Sequence, residues 1–185
     1  MRTNKIIIVV VLALFSIHIY AQDKYKLQEG EVSFYSSAPL EDIKALNKKP
    51  VGIIDFKAQK FSFRINIKDF IFNSSLMQEH FNENYMESDI YPSSTYKGDM
   101  TGEFDITKDG EYNLLSKGEL TIHGITKNVE IPAVIIVKGS EIFLKSDFKV
   151  KLKDYKIEIP TIVFEKIAEV VEVKIYSSLI LLEKK

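Results

Sequence analysis

From Lys60 to Lys68 apolar and polar residues alternate without a break: Phe61, Phe63, Ile65 and Ile67 against Lys60, Ser62, Arg64, Asn66 and Lys68. A period of two means a strand with one buried and one wet face. The same rule selects Leu120 and Ile122 against Glu119, Thr121 and His123, then Val129, Ile131, Ile135 and Val137. It also selects Ile142, Leu144, Phe148, Val150 and Leu152, and near the end Val171, Val173, Ile175, Leu179 and Leu181. Such runs span about 8 to 14 residues, beyond the usual mode of roughly 5–6. Long alternating strands suit a barrel or a strongly coiled sheet.

Turn residues separate these runs. Lys108-Asp109-Gly110, His123-Gly124 and Lys138-Gly139-Ser140 each place glycine between alternating segments, and Asp-Gly supplies positive φ at low cost. Thr95 to Leu152 therefore reads as a meander of antiparallel strands. Two stretches break the pattern. Ser37–Asn47 holds Pro39, then Glu41 and Asp42, with Leu40, Ile43 and Leu46 three apart, which predicts a short helix. In Asn73–Met86, Leu76, Met77, His80 and Phe81 fall at helical spacing behind Ser74 or Ser75, either of which can cap the start.

The first residues are of another kind. Arg2 and Lys5 precede an apolar run from Ile6 to Ile19, and Ala21 stands before Gln22-Asp23-Lys24. Positive start, short apolar core and small final residue predict a signal peptide over 1–21. The run is shorter than the roughly 20 residues of a spanning helix. Residues 22–185 are then one domain, exported to the periplasm or beyond, with no stable membrane anchor.

The chain of 185 residues carries 25 basic and 26 acidic side chains and no cysteine. Stability must come from the apolar core, since disulfides are excluded. Lysines alternate with apolar residues instead of clustering, so nucleic acid is a poor partner.

Candidate chemistry is sparse. There is no Gly-x-Ser-x-Gly elbow and no phosphate loop. His80 and Glu83 are three apart, a spacing found on metal-binding helices. One histidine falls short of the three or four ligands of a metal site, so a packing or capping role is the better reading. His123 alternates away from Ile122 at a turn, which predicts that it fixes the hairpin. Leu76, Met77 and Phe81 either plug the core or line a ligand cavity.

Several segments together resemble the YceI-like family, exported lipocalin-like barrels associated with polyisoprenoids or other long-chain lipids. They are Val32-Ser33-Phe34-Tyr35-Ser36-Ser37, Met77 to Ser88, Tyr91-Pro92, Tyr96-Lys97-Gly98 and, most specifically, Gly118-Glu119-Leu120-Thr121-Ile122-His123-Gly124-Ile125-Thr126-Lys127. The chain departs from the family's arginine and Asp-Phe-Gly-like turn at Lys151-Leu152-Lys153-Asp154-Tyr155-Lys156-Ile157, and in the link around Pro39–Asn47.

The expectation is an all-β protein: a single antiparallel lipocalin-like barrel of about eight strands with one or two short helices. The resemblance implies a non-enzymatic binder or carrier of an isoprenoid or acyl chain, with no cofactor and no metal. The expected cavity lining is Phe61, Phe63, Ile65, Ile67, Met77, Phe81, Met100, Leu120, Phe148, Val150, Val171 and Val173. The rival reading is a stress or structural protein with a solid core that works through a surface partner.

Overall fold

The computed structural model describes residues 24–37, 42–159 and 168–183. The proposed signal peptide lies outside the described residues. Among the described residues ten strands run in chain order: β1 (Lys24–Ser36), β2 (Ile43–Asn47), β3 (Val51–Asp55), β4 (Lys60–Asn66), β5 (Phe70–Phe72), β6 (Ser93–Thr101), β7 (Gly110–Ile122), β8 (Ile125–Lys138), β9 (Glu141–Lys151) and β10 (Val170–Leu181). One helix, α1 (Ser75–His80), continues into a single π-turn over Phe81–Tyr85.

All pairings are antiparallel. The order β1-β3-β4-β6-β7-β8-β9-β10 closes on itself because β10 returns to pair with β1. The result is an eight-stranded barrel, in which β2 continues the line of β3 along β1 and β5 continues the line of β4 along β2. The expected meander is β6 to β9.

Strand directions define two ends. Turns 56–59, 102–109 and 139–140 gather at one, which we term the closed end. The 73–92 segment, the His123-Gly124 turn and the approach to β10 gather at the other, the mouth end. At the closed end Ile54, Phe56, Phe61, Met100, Leu114, Ile135, Val137 and Leu179 form one packed cluster. Phe56 also meets Tyr25 at 5.3 Å and Phe104 at 5.5 Å between ring centroids, so the turns themselves seal this end.

The mouth end closes differently. Pairing between β4 and β6 stops at Asn66↔Ser93. Beyond it β5 pairs with β2 and forms the end of the sheet order. Helix α1 follows β5 at once, and the Phe72 amide donates to Oε1 of Gln78 at 3.3 Å instead of to a strand. Ser74 caps α1 by accepting from the Met77 amide.

Gly98 of β6 and Gly118 of β7 stand opposite each other. A Cβ on either would lie 2.1 Å from a backbone oxygen of the other strand. The two strands can approach this closely only without side chains, and that bend helps the sheet to coil. At the β7–β8 hairpin His123 and Gly124 have φ of 50° and 70°, the pair of positive angles a two-residue type I′ turn needs.

Five expectations are corrected. Ser37–Asn47 is not helical where described: Ile43–Asn47 is strand β2, held by pairing with β1 and β5. Leu76 is 58% exposed and is not part of the inward face of α1. Leu181, the last residue of β10, is 52% exposed although it stays paired with Tyr25. Asp109-Gly110 takes no positive φ; Asp109 instead accepts from the Gly139 amide at 2.8 Å and ties two closed-end turns together. His123 does not sit on an open polar face, since its side chain is 10% exposed.

Candidate functional site

Between β5 and β6 the barrel wall is α1 and its π-turn instead of a strand, and the extra circumference creates room. A cavity of about 290 Å³ occupies the mouth half of the barrel. Its walls are almost wholly apolar. The strands supply Val32 and Phe34 from β1, Phe63 and Ile65 from β4, Leu120 from β7, Phe148 and Val150 from β9, and Val171 and Val173 from β10. Met77, Phe81, Tyr85 and Met86 reach in from the helical segment. The π-turn is marked by the Met86 amide donating to the Phe81 carbonyl at 2.9 Å, five residues back. That wide turn interrupts the α-helical spacing and sets Phe81 among Phe34, Phe70 and Phe72, at ring distances of 5.5, 5.6 and 4.9 Å.

Ten of the twelve expected lining residues border this cavity: Phe63, Ile65, Ile67, Met77, Phe81, Leu120, Phe148, Val150, Val171 and Val173. Phe61 and Met100 do not. They lie at the start of β4 and the end of β6, in the closed-end core, and line a separate cavity of about 50 Å³. Alternation predicted their face correctly but carries no information on their height along the barrel. Phe34, Phe70 and Phe72 were not anticipated as lining. The Phe70-Ile71-Phe72 alternation was an available signal for two of them.

Polar groups inside the barrel are satisfied locally. Ser116 donates to the Ile131 carbonyl at 2.7 Å, which leaves its oxygen free to accept from the Tyr96 hydroxyl at 3.0 Å. Ser146 donates to the Pro132 carbonyl at 2.7 Å. Burial pushes the Tyr85, Tyr96 and Tyr155 phenols above their ordinary range, so each is a neutral hydroxyl. Among the described residues no carboxylate side chain lines the cavity.

The histidines sit apart from that interior. His80 is exposed at the cavity's edge. His123 Nδ1–H donates to the Tyr155 carbonyl at 3.1 Å, its Nε2 lies 2.8 Å from the Glu87 carboxylate, and its ring packs edge-on against Tyr91. One imidazole thereby joins the β7–β8 hairpin, the segment after the π-turn and the turn after β9. Among the described residues no group of three or more acidic or histidine side chains is placed to hold a metal ion. No described helix is long and apolar enough to cross a membrane.

The turn after β9 is where the sequence departs from the family pattern. Leu152–Tyr155 forms a 3-10 turn, and Lys156 follows with φ of 55°. A lysine thus adopts the left-handed conformation here, a region that glycine enters more readily.

Comparison with known proteins bears on this architecture. A YceI-like domain matches residues 25–179. A polyisoprenoid binding domain from Saccharophagus degradans, implicated in plant cell wall breakdown, is 15% identical with a TM-score of 0.72, over 85% of this chain and 98% of that one. Burkholderia cenocepacia BcnA is 18% identical with a TM-score of 0.67, over 82% and 96%. The Campylobacter jejuni YceI protein is 19% identical with a TM-score of 0.60, over 78% and 88%. No match was found among curated proteins. At these identities the structures share the fold; the domain match, spanning most of the chain, assigns the lineage: this protein belongs to the YceI-like family.

Proposed function

We propose that the protein is a non-enzymatic binder or carrier that holds the hydrocarbon part of an isoprenoid or acyl lipid in the mouth-end cavity. The observation that carries this reading is the cavity itself: about 290 Å³ bounded almost entirely by aliphatic and aromatic side chains. An apolar wall that faces no packing partner forgoes dispersion contacts, and an apolar occupant returns them.

The chemistry fits a lipid chain. Each buried methylene is worth about 0.8 kcal/mol and needs no directional partner, and phenylalanine and methionine walls accept many chain conformations. The volume is at the lower limit of small-molecule pockets, about 300–1,000 Å³. A polyisoprenoid would therefore leave part of its length, or its head group, at the mouth. The likeness to a polyisoprenoid binding domain supports the same ligand class. The apolar start of the chain supports export, with the periplasm as the working compartment. Against the solid-core alternative stands the cavity that the mouth-end side chains enclose.

The test is native mass spectrometry of protein purified without detergent, before and after solvent extraction and reloading with geranylgeraniol or hexadecanol. The expected result is one lipid per chain that extraction removes and reloading restores. Extracted, folded protein that takes up neither probe would contradict the reading.

A further inference from the structure

The two cavities are stacked along the barrel and share a partition. Phe63, Tyr96, Leu144, Phe148 and Ile175 border both, and they come from β4, β6, β9 and β10, around much of the circumference. Within this partition Tyr96 alone is fixed by a described hydrogen bond. Its hydroxyl donates to Ser116, whose own proton is committed to the Ile131 carbonyl. The Tyr96 ring also rests on Phe61 at 4.7 Å, and Phe61 in turn stacks on Phe63 at 5.5 Å. The closed-end core thus braces the tyrosine from below while its hydroxyl holds it across the barrel.

We propose that this partition, with Tyr96 as its fixed member, is the stop that sets how long a hydrocarbon tail the mouth-end cavity accepts. The inference rests on the reading of that cavity as a lipid site. A tail entering from the mouth runs along Val171, Val150 and Phe148 and ends against the Tyr96 ring. The smaller cavity lies beyond these shared side chains, its walls equally apolar and its serine hydroxyls already satisfied by backbone carbonyls. Further methylenes on the tail have no wall to meet. Replacing Tyr96 by leucine joins the two spaces and strands no polar partner, since Ser116 keeps its bond to Ile131.

The experiment uses delipidated full-length domain and the straight-chain alcohols decanol, dodecanol, tetradecanol, hexadecanol and octadecanol. Kd is measured for each, with thermal unfolding to confirm that every variant is folded. In the wild type, affinity should tighten by about fourfold per added methylene, the equivalent of ~0.8 kcal/mol, and then level off at a limiting length. In Tyr96→Leu the limit should move to a longer alcohol, with the longest probes bound about fourfold tighter or more than by the wild type. Phe63→Leu opens the same partition from another wall and should move the limit in the same direction, which keeps the test available if one variant folds poorly. Adding Ala133→Val to Tyr96→Leu refills the smaller cavity and should return the limit toward the wild-type length. An unchanged limit in folded Tyr96→Leu and Phe63→Leu proteins, or a longer limit that survives Ala133→Val, overturns the inference. If no alcohol binds the wild type saturably, it is the lipid-site reading that fails.

Discussion

At the closed end Ile135 and Val137 of β8 are 1% and 2% exposed and pack with Ile54, Phe61, Leu114 and Leu144 from across the barrel. At the mouth end Val150, Val171 and Val173, inward-facing in the same strand alternation, border a cavity of about 290 Å³. Residue type does not separate the two ends, since both are lined by valine, leucine, isoleucine and phenylalanine. Closure separates them. At the closed end strand pairs with strand around the whole circle, and an eight-stranded ring is just wide enough for its side chains to fill. At the mouth end β5, the continuation of β4, does not pair with β6, and α1 with its π-turn completes the wall. The hollow half thus follows from one missing strand pairing, bridged by a helix.

The largest expected effect breaks the packed end. Ile135→Ala should cost about 2–5 kcal/mol, read as a fall in Tm at roughly 2–4 °C per kcal/mol for a chain of this size. Phe148→Ala should cost less than Ile135→Ala despite removing more atoms, because its atoms already face open volume. Equal or greater loss for Phe148→Ala would mean that the mouth end is as tightly packed as the other. The next effect concerns the tie that braces the mouth. His123→Ala leaves the Tyr155 carbonyl and Glu87 without their partner, and each lost hydrogen bond costs roughly 0.5–1.5 kcal/mol. Thermal unfolding should show a modest drop while the Kd for hexadecanol stays near wild type; unchanged stability with abolished binding would move His123 into the ligand site.

A gain is expected beside it. Lys156→Gly should raise stability by about 0.5–1 kcal/mol, by relieving a left-handed residue at the cost of added freedom in the unfolded chain. A loss of stability would show that the lysine stem packs usefully there.

The smallest effect lies in a closed-end turn. Lys108 above all, then Thr107, holds the Asp105 carboxyl down at about 2. Its folded value lies below the unfolded one of roughly 3.9, so its contribution is complete above the unfolded value and is lost as pH falls through about 2. Carboxyl NMR should place the Asp105 midpoint near 2; a midpoint close to the unfolded value would show the turn to be loose.

Much of this architecture was legible in the residues, for reasons that also mark where legibility ended. Strands β4, β8, β9 and β10 and the end of β7 could be read because apolar residues there recur at every second position. Strand β1 could not be read along its length. Its register shifts between Leu27 and Gly30, so Tyr25 and Leu27 face inward in one phase while Val32 and Phe34 do so in the other. Strand β2 hid behind Leu40, Ile43 and Leu46, whose spacing mimics a helix. Its true inward set is Ile43, Ala45 and Asn47, and Asn47 is polar yet 0% exposed. Its side chain is satisfied by the Asn66 carbonyl and the Lys49 amide, partners invisible to a pattern. The same limit applies to the site. Alternation placed Phe61 and Phe63 on one face, but which of them meets the large cavity depends on where the β4–β6 pairing ends, a long-range feature.

The most direct test of a packed end and a hollow end is methyl NMR during titration with hexadecanol. The account predicts shifts at Ile65, Ile67, Met77, Val150, Val171 and Val173, with Val137, Ile142 and Leu179 unmoved. Shifts at those closed-end methyls, or at Val51 and Ile53 on the outer face while the mouth-end methyls stay still, would contradict it.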